Sequence, residues 1–408
     1  MPDALGASLV AAGHGLVVYR DYDSTNRKAI PVQQLISLGG GPRGVHGVCQ
    51  GPDGDLYLAY GNDDPTYFNK VTKGIYLAES RGGAILRSSL KSVDAFGNGE
   101  PTLEVLAYGF DNPYDLDFHA SGRLFTADVD KAADYALPSY RSAALYDVAW
   151  LRDHGRTLSD DGNAFDRPKC FYDAVAPAAD LGRAAPSGLA VYRHRQFPQR
   201  YRGGMFAACW KSGRIDFVPL QPEGASSAGV KETFLELTGN AGLTPIDLAV
   251  GPAGDLFVAY GGHGTPGAVW RIRYDAQTSL QDFRQADRTA RLRAVLQADQ
   301  PLAAWSRERW IPIARTLGKE AFVAAIADAT LPVAEQVRAV EILVELFEPI
   351  TLEEARAAVA LKRPELSARI AWLIDPKRLG SWSDLLCELT FDPDAQRSAR
   401  GLGKDLQH

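Results

Sequence analysis

Cysteine is scarce: the 408 residues contain four, Cys49, Cys170, Cys209 and Cys387, far apart and without a CxxC or CxxCH pair. Their spacing excludes a zinc knuckle and a covalent c-type haem attachment in this chain. Scattered thiols are the expectation, with a Cys49–Cys209 disulfide as the alternative. Long apolar runs are absent too. No stretch approaches the ~18 residues of a membrane-crossing helix. The amino terminus, MPDALGASLVAAGHGLVVYRD, has no basic leader, and Gly13-His14-Gly15 interrupts its hydrophobic stretch, so neither a signal peptide nor a transmembrane segment is expected. Dense basic blocks are also missing. With 44 basic and 50 acidic residues the formal charge is -6, which argues against a nucleic-acid partner.

What is present is repetition. GPDGDLYLAYGN at Gly51–Asn62 returns as GPAGDLFVAYGG at Gly251–Gly262, each a Gly/Pro/Asp turn followed by an alternating apolar run and a second Gly turn. Weaker copies lie between them, HASGRLFTADVD at His119–Asp130 and RYRGGMFAACWKSGRI at Arg200–Ile215. A second pattern, glycine and then an apolar strand ending in arginine, occurs at Gly83–Arg87 and Gly267–Arg271 and supplies the neighbouring strand of the same sheet. Short strands between tight turns, repeated every ~45 to 65 residues, predict an all-β propeller of four to six blades over residues 1–276.

After Asp275 glycine becomes rare, and Ala, Leu, Glu and Arg take over in a helical period. Helices are expected over 288–298, 301–317, 320–327, 334–346, 351–361, 364–374 and 382–386, making an α-helical domain over 277–404. Thr351 with Glu354, and Ser381, are the clearest start signals. Val337, Ala339, Ile342, Leu343 and Leu346, then Ala368, Ile370, Ala371 and Leu373, form apolar stripes that read as core, with a partner-binding face as the alternative.

The runs YGFDNPYDLDFHASGRLFTADVD (Tyr108–Asp130), LPSYR (Leu137–Arg141) and LGRAAPSGLAVYRHRQFPQRYRGGMFAACWKSGRI (Leu181–Ile215), followed by TPIDLAVGPAGDLFVAYGG and GAVWRIRY, resemble bacterial membrane-bound dehydrogenase-like propellers, relatives of the soluble quinoprotein glucose and sorbosone dehydrogenases. AWSRERWIPIARTLG (Ala304–Gly318) and VRAVEILVELFEPI (Val337–Ile350) resemble the HEAT-like extension of that group. The resemblance implies a six-bladed propeller and an extracytoplasmic or periplasmic setting. It also implies pyrroloquinoline quinone (PQQ) and calcium as cofactors, and oxidation of a sugar or alcohol. Lacking CxxCH, the chain would pass electrons to a separate cytochrome or other protein. VVYRDYDSTNR resembles a segment that follows earlier blades in the family, so an incomplete ring is expected.

The resemblance makes His46, just ahead of the GPDG turn, the candidate catalytic base, although Arg43 occupies the offset where relatives carry it. Asp111 stands where relatives have the arginine of GxRNP, which reverses the charge offered to a quinone carboxylate. Arg43, Asp111, Asn112, Arg183, Arg214, Asp247 and His263 are candidates for holding cofactor or ligand, and Asp115, Asp128, Asp130 and Asp134 for calcium, oxygen donors being the ligands that hard cation takes. Turn hydrogen bonding and surface ion pairs are the plain alternatives. Asp21 and Asp23 echo a calcium loop more weakly. Three functional readings stand: a quinoprotein-type dehydrogenase, a non-catalytic carbohydrate- or protein-binding propeller, and a calcium-dependent lactone hydrolase.

Overall fold

A computed structural model of the chain describes residues 8–12, 15–23, 28–37, 43–61, 83–89, 102–138, 140–158, 164–166, 174–223, 226–236, 244–262, 265–275, 287–347, 350–372 and 379–391. The repeated turns are its organising element. In GPDG, Gly51 N–H donates to the Asp55 carbonyl (2.8 Å) and Gly54 N–H to that of Gly51 (3.0 Å); Gly251 and Gly254 repeat the pair at 2.9 Å each, and His119 and Gly122 at 2.8 and 2.9 Å. Gly54, Gly254 and Gly122 have φ of 80, 85 and 80°, a left-handed conformation that costs glycine nothing.

Each turn joins antiparallel strands. The first sheet comprises β1 (Ser8–Ala12), β2 (Gly15–Asp23) and β3 (Lys28–Ser37). In the second, β4 (Val45–Gln50), β5 (Leu56–Tyr60), β6 (Gly83–Ser89) and β7 (Thr102–Phe110) pair in chain order. The third contains β8 (Leu116–Phe118), β9 (Leu124–Asp128) and β10 (Ala143–Asp147); after a separate hairpin of β11 (Arg156–Leu158) and β12 (Ala164–Asp166), β13 (Ala179–Gly182) joins its outer side. The fourth has β14 (Pro186–Val191), β15 (Met205–Cys209) and β16 (Arg214–Val218), then the hairpin β17 (Gln221–Glu223) and β18 (Ser226–Ala228), and finally β19 (Glu232–Glu236). The fifth is β20 (Pro245–Val250), β21 (Leu256–Gly262) and β22 (Thr265–Ile272). Strands β1, β4, β8, β14 and β20 lie beside one another in that order, so the sheets stand as blades about a shared inner row. Against the expected six blades, five such sheets are found among the described residues, and none closes on itself.

Apolar side chains fill the spaces between blades. Tyr57, Ile85, Phe110, Phe118 and Tyr146 join the second and third sheets, and Tyr192, Phe206, Phe217, Leu248 and Val258 the fourth and fifth. Burial stabilises by about 1.5–3 kcal/mol per large side chain. Both predicted strand pairs form: β5 with β6 and β21 with β22. Cys49 and Cys209 are free thiols, so the disulfide alternative does not hold; Cys170 lies outside the described residues.

The helical part contains α1 (Arg288–Leu296), α2 (Ala304–Leu317), α3 (Lys319–Ala327), α4 (Val333–Leu346), α5 (Leu352–Val359), α6 (Pro364–Trp372) and α7 (Leu379–Phe391). Thr351 and Glu354 form the expected reciprocal capping box. Ser381 is corrected: α7 begins at Leu379, so this serine lies inside the helix. Val337, Ala339, Ile342, Leu343, Ala368, Ile370 and Ala371 are buried as the stripes require; Leu373 lies outside the described residues.

These helices dock on the turn end of the sheets. Arg307 Nη2 donates to the Gly51 carbonyl (3.1 Å), Gln300 Nε2 to that of Val191 (3.0 Å) and Trp305 Nε1 to that of Val250 (3.0 Å). Arg369 packs on Gly122. Beneath them is a buried charge network in which Glu341 meets Arg369 (2.7 Å) and Arg338 (3.1 Å), and Glu345 meets Arg307 (2.9 Å). The helices thus leave the other end of the blades, where β4 and β8 begin, to the candidate site.

Two histidines, His154 fully buried and His119 half-buried, add a pH dependence. Burial pushes His154, stacked on Phe110 at 4.3 Å, down to about 4, and burial with Arg193 does the same to His119. A depressed base stabilises the fold while neutral, a contribution of roughly 3 kcal/mol each that is lost as pH falls from 6.5 to 4. Asp117 has the opposite sign: burial raises its carboxyl to about 6, so its stabilisation is lost as pH rises through 6. Proton NMR titration of the His154 ring is expected to give a midpoint near 4; a midpoint near the ordinary 6.5 would contradict this burial.

Candidate functional site

At the free end of the second and third sheets, a carboxylate organises a turn and the turn organises a histidine. Asp128, buried at the end of β9, accepts the backbone N–H of Asp111 and Asn112 (2.8 Å each) and of Val129 (3.0 Å). That fixes the Asn112 side chain, whose Oδ1 lies 2.9 Å from His46 Nε2. An amide oxygen only accepts, so Nε2 donates to it. The imidazole lies on Tyr114, rings 4.0 Å apart and inclined by 16°. Arg43 completes the group through Asp111, Nη1 to Oδ1 at 3.3 Å. Packing here is tight enough to need bare backbone, since a Cβ on Gly61 would fall 2.3 Å from both Asn112 Oδ1 and the Arg43 carbonyl.

Four predicted residues, His46, Arg43, Asp111 and Asn112, therefore come together, and Asp128 supports them from behind. Tyr114, 38% exposed, is the member that sequence reasoning missed; its position in Asn112-Pro113-Tyr114-Asp115 was the available signal.

The other acidic candidates do not gather around a common point. Asp115 Oδ1 accepts Leu116 N–H (2.8 Å) and its Oδ2 accepts Leu189 N–H of the next sheet (2.7 Å). Burial first, then the charge of Asp247, raises its carboxyl well above the ordinary range. Asp117 makes the same bridge from Phe118 (2.7 Å) to Val191 (2.8 Å). Asp247 accepts its own neighbour, Leu248 N–H, at 2.7 Å, and the surrounding strands raise its carboxyl although the residue keeps solvent contact. Asp130 pairs with Lys211 (3.1 Å) and accepts from Tyr140 (3.3 Å), and Asp134 pairs with Lys131 (3.1 Å). Asp128 is thus met by backbone amides and Asp130 by a lysine. Among the described residues no cluster of three His, Cys, Asp or Glu is arranged to hold a metal ion.

Arg183 lies over the Tyr135 ring at 4.0 Å, and Arg214 shares its Nε–H between the two oxygens of Asp216 (2.8 and 3.0 Å) and donates through Nη2 to the Leu181 carbonyl (3.0 Å), so both are engaged in contacts within the chain. His263 lies outside the described residues, and so do the side chains of Asp21 and Asp23. Among the described residues no helix is long and apolar enough to cross a membrane.

Inner strands approach so closely that side chains alternate in size. A Cβ on Gly47 would sit 2.9 Å from Asp115 Oδ1, and one on Gly188 2.9 Å from Asp247 Oδ1. The row from β4 to β20 thus reads Gly47, Asp115, Gly188, Asp247.

No family model matches this sequence, and no curated protein does. Solved structures that resemble it include a PQQ-bound aldose sugar dehydrogenase from Streptomyces coelicolor (20% identity, TM-score 0.43, covering 65% of this chain and 74% of that one). The apo soluble aldose sugar dehydrogenase from Escherichia coli (17%, 0.41, 65% and 76%) and the PQQ domain of a pyranose dehydrogenase from Coprinopsis cinerea (15%, 0.43, 65% and 78%) are similar at the same level. At these values the likeness assigns no role to any residue; the architecture rests on this chain's own strand pairing.

Proposed function

We propose that this chain is a dehydrogenase-like propeller that binds a sugar or alcohol at the end of the blades carrying His46, Asn112 and Tyr114. The observation that carries the reading is the His46–Tyr114 stack beside the Asn112 amide and the Arg43–Asp111 pair. An aromatic ledge suits the C–H face of a sugar ring, and planar polar groups beside it suit its hydroxyls. The reading includes a propeller of the six-bladed type with an incomplete ring over 1–276 and a HEAT-like tail over 277–404; a separate protein as electron acceptor belongs to its oxidising form alone.

Among the described residues the fit to PQQ, a tricarboxylate, is poor. Arg43 is committed to Asp111, and Asp111, Asp115 and Asp128 add carboxylates rather than cations. Calcium lacks a cage of grouped carboxylates there. No step is therefore assigned to either group, and ligand binding without oxidation is the form of the proposal that this chemistry favours.

Oxidation is the second reading, favoured by the place of His46 beside the Asn112 amide. There the imidazole would take a hydroxyl proton while the carbon gives up hydride to an acceptor and becomes a carbonyl carbon. Titration calorimetry with a panel of monosaccharides and sugar alcohols tests the first reading. Tyr114→Ala is expected to weaken binding by about tenfold, the loss of one aromatic contact. Folded protein that binds no member of the panel, or a Tyr114→Ala variant that binds normally, would rule the site out. Adding PQQ, calcium and a redox dye then separates the readings: sugar-dependent dye reduction that His46→Gln abolishes identifies oxidation.

A further inference from the structure

The fifth sheet differs from the second in a way their shared sequence makes measurable. β6 (Gly83-Ala-Ile-Leu-Arg87) and β22 (Gly267-Ala-Val-Trp-Arg271) occupy equivalent places, each paired with the strand that follows a GPxGD turn. The outer edge of β6 is covered by β7, with Arg87 opposite Glu104 in the register. Among the described residues β22 has no such partner, whereas the second, third and fourth sheets each have a fourth strand.

Side chains register the difference. Ile85 is 0% exposed, and its counterpart Val269 is 67% exposed. Arg87 is 23% exposed and bonded to Asp53 (2.9 Å), Asp55 (2.7 Å) and Glu104 (3.1 Å). Arg271 is 57% exposed, and its Nε is 3.8 Å from Asp255, the equivalent of Asp55. Ala253 has replaced the carboxylate of Asp53, and the strand that would carry a counterpart of Glu104 is missing from the described residues. Arg273 adds a second exposed cation, 3.7 Å from the same Asp255. The outer strand thus combines an apolar position open to solvent with two arginines sharing one distant carboxylate. An exposed sheet edge of this kind is a template for strand addition.

We propose that the outer edge of β22 is a docking site for an extended acidic strand donated by another polypeptide, added antiparallel, with a carboxylate opposite Arg271 as Glu104 lies opposite Arg87. Charge selects the occupant: among the described residues Arg271 and Arg273 share the single carboxylate of Asp255, and the second sheet shows which residue type satisfies the same position. A second copy of this chain offers the same two arginines at the same edge and would set like charges together, which disfavours self-pairing.

The probe is a fluorescein-labelled peptide with the sequence of residues 101–110, PTLEVLAYGF, the segment whose strand covers β6. With the full chain it is expected to show saturable anisotropy binding and to slow amide exchange along β22. Replacing the peptide glutamate by lysine should weaken binding at least about threefold, the scale of one cross-strand charge pair. Arg271→Glu in the protein should weaken the glutamate peptide and restore the lysine peptide. Absence of saturable binding, equal affinity for the two peptides, or binding that leaves β22 exchange unchanged overturns the proposal. Self-association in sedimentation velocity that Arg271→Glu abolishes overturns it as well, by making the occupant a second copy. If Arg271→Glu fails to fold, the two peptides against the unaltered chain still decide.

Discussion

Replacing Glu341 with alanine is expected to lower the stability of the chain by about 3–5 kcal/mol, the usual cost of removing one partner from a buried ion pair. Its two oxygens hold Arg369 at 2.7 Å and Arg338 at 3.1 Å. Burial alone would raise this carboxyl, but Arg369, Arg338 and Arg193 outweigh it and leave it below its ordinary value. The arginines remain when the glutamate goes, and Arg338, whose Nε and Nη2 are already without hydrogen bonds, loses its carboxylate partner. A lowered carboxyl stabilises above its unfolded pKa, near 4.3, and that contribution is lost as pH falls through the still lower folded value. Urea unfolding at pH 7 and near pH 3 checks both points: the variant's deficit should be large at pH 7 and shrink on acidification. A deficit under about 1 kcal/mol at pH 7 would mean that the network is solvated.

Gly122→Ala is expected to cost about 3 kcal/mol or more, from two sources. At φ 80° an alanine pays about 1–2 kcal/mol of backbone strain. Its Cβ would also fall 1.3 Å from Arg369 Nη2 and 2.0 Å from Cζ. A long side chain ordinarily swings away from such a clash, but Arg369 is buried and tied to Glu341, so moving it breaks that ion pair. The two substitutions are therefore coupled. In a Glu341→Ala background the same glycine change should cost the strain alone, and a double-mutant cycle in urea unfolding measures the difference. Strict additivity would show that Arg369 adjusts without leaving Glu341.

The turns were legible because a left-handed glycine and the apolar run after it leave a fixed imprint, and the four copies located β5, β9, β15 and β21. Inner strands were harder. β8 reads Leu116-Asp117-Phe118, preceded by Asp115, and carboxylates at strand positions look like turn chemistry until the amides they accept, on Leu189 and Val191, are seen in another sheet. The site was half legible. His46, Arg43, Asp111 and Asn112 were separate candidates, and only the fold brings residues 66 and 68 positions apart into contact. Tyr114 was overlooked because the flanking Pro113 and Asp115 explained the segment as a turn. Arg338, Glu341 and Arg369 were passed over for a different reason. They interrupt apolar stripes, where charged residues read as the solvated face of a helix, and their burial depends on a neighbouring domain surface that no periodicity within α4 or α6 reveals.

The carboxyl groups of Asp115, just before β8, and Asp117, within it, turn the joint between the third and fourth blades into a two-pin connector. Asp115 and Asp117, two residues apart, plug into the amides of Leu189 and Val191, also two residues apart. Greasy surfaces between sheets tolerate sliding, because apolar contact has little directional preference. A pin does not: displacing one blade by a single residue along the strand brings the carboxylates opposite the wrong side of the pleat, where no amide points toward them. The two blades are thereby levelled against each other. The height at which the turn bearing Asn112 and Tyr114 stands above its neighbour is set at the joint, several residues away from the surface where that height matters.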